Sequence, residues 1–201
     1  MKKIMFNDRY GLTEAVLSGR KTQTRRIIPQ SAVKKASKYQ LEYFEATLDA
    51  ISEGEAIEQI YFVERLAELP YQVGEVVAVA QSYKDFYDDT CDPRIFPSGA
   101  GWTNKMFVCA DLMPHRIRIT NVRVERLQDI SDEDCIKEGV IKGKVGSEDT
   151  HFMDAYYAPN MPLEPCVLPQ GAYALLIDRI SGKGTWESNP WVFVYDFELI
   201  K

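Results

Sequence analysis

The sequence has few of the residues from which metal sites and disulfide frameworks are built. Its 201 residues include only two histidines and four cysteines. The cysteines are widely spaced, and no pair has the C-x-x-C spacing of common zinc motifs. We therefore expect free thiols in a reducing cytoplasm, no metal site and no cofactor.

The sequence also lacks a long apolar run. It has no stretch of about 18 apolar residues, so we expect no membrane-spanning helix. The basic N-terminal residues are not followed by the apolar stretch and small-residue cleavage site of a signal peptide. Hydrophobic residues make up 45% and charged residues 27% of the chain, which is ordinary for a globular protein. We predict one cytoplasmic domain over residues 1–201, and the sequence leaves its oligomeric state open.

Positive charge is scarce overall but concentrated near the N-terminus. The formal net charge is -6, yet residues 1–38 contain ten Lys or Arg against two acidic residues, a local charge of +8. Residues 41–68 contain eight acidic residues against Arg65 alone. Two interpretations stay open. Either the basic segment binds an anionic ligand such as a nucleic-acid backbone, or the acidic segment folds over it and neutralises it.

The hydrophobic pattern predicts short strands and short helices separated by long insertions. Strands are expected at 3–7, 75–80, 116–127 with a bulge or a turn near Thr120–Asn121, and 190–200, and helices at about 8–18, 131–138 and 170–180. Insertions are expected at about 31–68, 84–115 and 141–168, the first helical in parts and the last irregular. The fold class is α+β. Because the strands lie too far apart for simple hairpins, we predict a closed, barrel-like sheet with short flanking helices.

Four segments of the chain, taken in order, resemble those of ASCH domains, a family in the PUA-like superfamily. The segment LSGRKTQTRR at 17–26 is similar to the family's signature of Gly-x-Lys followed by Arg, matched here by Gly19, Lys21 and Arg25. The other three segments are YQVGEVVAVA, VERLQDISDEDCIKEGV and WESNPWVFVYDFELI. The resemblance covers about half of the chain, which is about twice the length of a minimal ASCH domain.

The resemblance implies a small PUA-like pseudo-barrel with a cleft that binds a nucleoside, a nucleotide or RNA. One branch of the family consists of amidohydrolases that remove acyl groups from the N4 amine of cytidine derivatives such as N4-acetylcytidine. That branch uses a Lys and a Thr in the same segment and a Glu in a later helix. Carried over by position, these catalytic residues are Lys21, Thr24 and Glu138.

These residue types suit amide hydrolysis, which needs a nucleophile, a base, a proton for the leaving amine and donors for an oxyanion. A neutral Lys21 would take the proton of the Thr24 hydroxyl, and Glu138 would protonate the leaving amine. A lysine is rarely neutral at pH 7. Burial and the neighbouring arginines would lower its pKa.

The remaining residues of the basic segment are expected to bind the ligand. Gly19, Arg20, Arg25 and Arg26 are the candidates for phosphate or oxyanion contacts, through side chains or through backbone N–H groups near the glycine. Positions 21 and 24 face opposite ways along a regular strand, so a turn after Gly19 is a condition of a shared site.

Two other functions and one structural interpretation stay open. The protein could be a non-catalytic RNA-binding module whose Lys21, Arg25 and Arg26 grip phosphates, or a ribonuclease. The basic segment could also be an ordinary solvated surface. Alternate arginines of the 116–127 strand form a second candidate phosphate stripe, and aromatic residues near 83–102 could stack on a base or pack as a loop.

Overall fold

The structure is a computed structural model that describes residues 1–33, 69–88, 92–95, 97, 99–148 and 151–200. The helices expected within 31–68, and the acidic segment 41–68, lie outside these ranges except for residues 31–33. The strands are β1 (Lys3–Ile4), β2 (Gln23–Ile27), β3 (Val76–Val79), β4 (Arg116–Arg126), β5 (Ile141–Val145), β6 (Met153–Tyr157) and β7 (Trp191–Ile200). The α-helices are α1 (Leu12–Leu17), α2 (Asp132–Lys137), α3 (Pro169–Ser181) and α4 (Thr185–Ser188), with short 3-10 turns between them.

Five of the strands form one mixed sheet in the order β1-β3-β4-β7-β2. Only β1 and β3 run parallel; the other neighbours are antiparallel. The predicted mixture of helices and strands is confirmed. Within the described part of the chain the sheet is open, with β1 and β2 at its edges. No closed barrel is found there, and the PUA-like barrel stays a prediction.

The strands β4 and β7 form the longest strand pair of the described sheet. Its register shifts between Ile119 and Asn121, which confirms the predicted bulge. Burial along β7 does not alternate between the two faces, because Val192 and Val194 are as fully buried as Tyr195. Both faces of this strand are therefore covered.

The N-terminal helix ends as the sequence predicts. A 3-10 turn over Asp8–Tyr10 leads into α1, and Gly19 follows with φ at +74°, the left-handed conformation that suits glycine. The backbone N–H of Lys21 then donates to the carbonyl of Ala15. The chain thus turns back at residues 18–20 and enters β2 at the edge of the sheet.

Contrary to the expectation from sequence, residues 141–168 are not irregular. They contain the antiparallel hairpin of β5 and β6, and the backbone of Tyr156 pairs further with Cys166. The apolar residues of β5 are partly exposed, with Ile141 at 41% and Val145 at 38%. A strand without a buried face has a weak hydrophobic pattern, which is why its sequence is hard to interpret. None of the described helices is long and apolar enough to cross a membrane.

Candidate active site

The turn after Gly19 places the segment that follows it against the end of α2. Thr22 donates its backbone N–H to the carbonyl of Lys137 at 3.0 Å. Ser131 is the N-cap of α2, and its Oγ accepts from the N–H of Asp134 at 3.1 Å. Glu138 is the C-cap, and Gly139 follows with φ at +109°. These two helix ends fix where Lys21 and Glu138 lie.

Lys21 and Glu138 form a buried ion pair although they are 117 residues apart in the sequence. The Nζ of Lys21 donates to Oε2 of Glu138 at 2.5 Å and to the backbone carbonyl of the same residue at 2.8 Å. The side chains are 2% and 5% exposed, respectively. The structure therefore brings together two of the three residues assigned to catalysis.

Burial lowers the pKa of the Lys21 amine below its usual value, because the charged form loses its hydration. The nearby Glu138 carboxylate opposes this shift, whereas Arg26 and Arg25 add to it through like-charge repulsion. The expected direction agrees with the sequence analysis. Its main cause is burial, and the arginines have a smaller effect.

Thr24, Lys21 and Glu138 line one cavity of about 430 Å³. The walls also include Phe6 and the apolar residues of α3 that face it, Leu176, Ile177 and Ile180. No described residue hydrogen-bonds to the Thr24 hydroxyl. The turn that a shared site requires is present. Lys21 lies before β2, which begins at Gln23, so the alternation of side chains along this strand does not apply to Lys21. The third assigned residue thus shares the cavity with the other two.

Arg25 is held inside the protein. Its guanidinium is 0% exposed and donates to Glu125, Asp134, Glu138 and Gln23, which together accept five hydrogen bonds. All five of its N–H groups are therefore used. Contrary to the expectation from sequence, Arg25 is placed to hold Glu138 and not to grip a phosphate.

Arg26 is a basic side chain of this segment that lines the cavity and has no carboxylate partner among the described residues. Its Nη2 donates to the carbonyl of Met5 at 2.7 Å, and its guanidinium lies 5.7 Å from the centre of the Phe6 ring. Its Nε is buried and has no hydrogen-bond partner among the described residues. The side chain lines the cavity. Arg26 thus places a cationic group at the cavity wall, with one donor that no described residue pairs.

Gly19 and Arg20 lie outside the residues that line the cavity. Both are exposed, and Arg20 donates only locally, to Ser18 at 3.2 Å. The N–H of Gly19 donates to Val16 and that of Lys21 to Ala15, so neither is free for an oxyanion. Their assignment to ligand binding has no support in the geometry of the cavity.

A network of charged side chains that includes Asp134, a partner of Arg25, was not predicted from the sequence. Arg123 donates to Glu125, Asp134 and Asp196, and Lys137 also pairs with Asp134. The Asp134 carboxylate contacts these cations and Arg25, which lower its pKa against the opposing effect of burial. The spacing of Ser131 and Asp134 predicts a capping box, of which only the bond from the Asp134 N–H to the Ser131 hydroxyl is present among the described contacts. The spacing of Asp134 and Glu138, one helical turn apart, is the signal that could have revealed a shared face.

Three of the four arginines of β4 are held by contacts within the protein. Arg118 pairs with Glu198, Arg123 belongs to the network, and Arg126 lies over the Trp191 ring at 4.1 Å. The aromatic residues near 83–102 pack on one another, with the Tyr87 and Trp102 rings 5.2 Å apart. Packing of the loop is the interpretation that these contacts favour.

Comparison of the chain with protein-family models, with curated proteins and with solved structures finds no match in any of the three. The functional assignment therefore depends on the cavity and on the segments quoted above.

Proposed function

We propose that this protein is an ASCH-type amidohydrolase that removes an acyl group from the N4 amine of a cytidine-type substrate bound in the cavity. The observation that carries this proposal is the buried pair of Lys21 and Glu138 in the wall of a cavity that Thr24 also lines. A PUA-like fold is part of the same proposal. The five-stranded sheet would form part of its barrel.

The first step is acylation of Thr24. Its hydroxyl oxygen attacks the amide carbon, and the hydroxyl proton passes to the neutral amine of Lys21. The lowered pKa of Lys21 makes this neutral form accessible. The negative charge on the carbonyl oxygen is stabilised by Arg26, which has an N–H without a described partner.

The second step releases the amine and restores the enzyme. The C–N bond breaks, and the proton held by the Lys21–Glu138 pair passes to the N4 nitrogen. A water molecule then attacks the Thr24 ester, and the same pair takes the proton of the water and returns one to the threonine oxygen. The products are an unacylated cytidine and a carboxylic acid.

The contacts of the basic residues favour an enzyme over an RNA-binding module. In the module, Lys21 and Arg25 would contact phosphates. Both side chains are buried and paired with carboxylates. To contact a phosphate, these side chains would have to leave their carboxylate partners. Leaving a buried ion without its partner costs on the order of several kcal/mol.

The proposal is tested with the purified full chain, by measuring the cytidine released from N4-acetylcytidine with chromatography. We expect turnover by the wild type and a loss of about 10²- to 10⁴-fold in Lys21→Met and Thr24→Val. Thr22→Val is the matched control, because Thr22 lies two residues away, contributes backbone hydrogen bonds to Lys137 and Phe197, and does not line the cavity.

Equal rates in Thr24→Val and the wild type would contradict the proposal. So would a wild type that binds RNA in a salt-dependent manner, or cleaves it, without hydrolysing the amide.

A further inference from the structure

One edge of β2 has backbone groups that no described residue pairs. Phe197 donates to the carbonyl of Thr22 at 2.9 Å, and Ile28 donates to the carbonyl of Trp191 at 2.9 Å. In an antiparallel pair, hydrogen-bonded residues alternate along the strand, so Thr24 and Arg26 also bond to β7. The N–H and C=O groups of Gln23, Arg25 and Ile27 therefore point away from β7, off the edge of the sheet.

The cavity lies along this edge. Arg25 and Ile27 present their side chains to one face of the sheet and Thr24 and Arg26 to the other, yet all four residues line the same cavity. The side chain of Arg25 is 0% exposed although the residue as a whole is 6% exposed, so the part of Arg25 that reaches the cavity is its backbone. The neighbouring walls of the cavity are Tyr173 of α3, which lies beside Arg25, and Phe6, which lies beside Arg26.

We propose that the backbone N–H and C=O of Arg25 read the edge of a cytosine ring. The N–H donates to the ring nitrogen N3, and the C=O accepts from the N–H at N4. This pairing places the N4 substituent next to Thr24 and Lys21. The inference rests on the proposed function, and it specifies how the substrate is oriented.

Two features select a base over an extended peptide. A volume of about 430 Å³ falls in the range of small-molecule pockets. An added peptide strand needs a run of free edge, but the bond from Lys21 N to Ala15 O already closes the edge just before Gln23. The buried Arg25 side chain also holds its own backbone in place, because five hydrogen bonds restrain it.

Amide hydrogen exchange by NMR on the ¹⁵N-labelled full chain tests the inference. Without ligand, we expect fast exchange at Arg25 and slow exchange at Thr24 and Arg26, which bond to β7. Saturating cytidine should slow exchange at Arg25 and leave Thr24 and Arg26 unchanged. The matched ligand is 3-deazacytidine, which lacks the N3 acceptor and should bind about tenfold more weakly.

Several results would overturn the inference. They are slow exchange at Arg25 in the free protein, bound cytidine that leaves this amide unchanged, equal affinity for 3-deazacytidine, and no cytidine binding. Protection of Gln23, Arg25 and Ile27 together that grows with protein concentration would indicate strand pairing between copies and would also overturn it.

The two proposals can fail separately. Hydrolysis of N4-acetylcytidine with an unchanged Arg25 amide keeps the proposed function and removes the base-reading edge. Protection of Arg25 by cytidine without any hydrolysis keeps the edge and removes the enzyme.

Discussion

Glu138 is held by two cations whose surroundings differ. On the side of the cavity, Lys21 contacts Oε2 of this carboxylate, and no other described acidic side chain contacts its amine. On the side of the protein interior, the Arg25 side chain, which is 0% exposed although the residue borders the cavity, contacts Oε1 at 3.2 Å and also pairs with Glu125 and Asp134. The two cations are four residues apart in the sequence and almost equally buried.

The number of nearby carboxylates separates the two pKa values. Burial by itself acts to lower the pKa of both groups. For Arg25, Glu138 and Glu125 more than offset burial, and its pKa is raised. For Lys21, the single carboxylate does not offset burial, and its pKa is lowered. The surroundings of the interior cation thus favour its charged form, whereas burial favours the neutral form of the amine on the cavity side.

Breaking the interior side should have the larger effect on stability. Arg25→Met leaves Glu125, Asp134 and Glu138 with one cation fewer in a buried place. We expect it to lower the free energy of unfolding by about 3–5 kcal/mol. Lys21→Met should cost about 1 kcal/mol or less, because Glu138 keeps its bond to Arg25. Urea unfolding followed by circular dichroism measures both.

The control for this pair is Arg118→Met. Arg118 is half exposed and pairs with Glu198 on the surface, so its loss should cost about 0–1 kcal/mol. A Lys21→Met variant as unstable as Arg25→Met would show that the two sides of Glu138 are equivalent.

The second prediction concerns pH and the cavity side. Because the pKa of Lys21 is lower in the folded than in the unfolded chain, the unfolded chain binds more protons between the two values. Stability should therefore rise with pH in that interval, by at most about 1.4 kcal/mol per pH unit, up to the ordinary lysine value. Lys21→Met should lack this contribution.

Subtracting the free energies of unfolding of Lys21→Met from those of the wild type, measured between pH 7 and about 10.5, isolates the contribution of Lys21 because the other titrating groups are shared. Parallel curves for the two proteins would mean that Lys21 keeps an ordinary pKa.

The smallest effect is expected at the start of α2, the helix whose last turn positions Glu138. Ser131→Ala removes the hydroxyl that accepts from Asp134 N–H and should cost about 1 kcal/mol. Ser131→Asp keeps a side-chain acceptor at this position and should retain most of the stability. Thermal unfolding compares the two, and equal losses would contradict a capping role.

The elements that could be predicted from sequence are those with a local signal. Ser131 begins α2 as predicted, Gly19 follows α1 in the left-handed conformation, and the bulge in β4 lies where Thr120 and Asn121 indicated it. The hairpin of β5 and β6 was missed, since β5 has no buried residue and therefore gives a weak hydrophobic pattern. The open sheet among the described strands also differs from the expected closed barrel.

At the candidate site, the three residues assigned to catalysis from the family resemblance lie together, whereas those assigned to ligand binding are divided. Lys21, Thr24 and Glu138 meet at one cavity. Arg25, expected to bind a ligand, is buried and supports Glu138, and Gly19 and Arg20 lie apart from the cavity. A run of basic letters does not reveal which side chains point inward, because that depends on strand register and on the acidic residues of other elements.

The sequence by itself determined where short elements begin and end, because helix caps, glycine conformations and strand alternation depend on neighbouring residues. Only the tertiary structure decided that an amine and a carboxylate 117 positions apart form a buried, hydrogen-bonded ion pair. It also decided that β2 is the last of the described strands in its sheet and contributes residues to a cavity. Both outcomes follow from long-range packing, in which the register of β2 on β7 and the position of α2 select which groups are buried together.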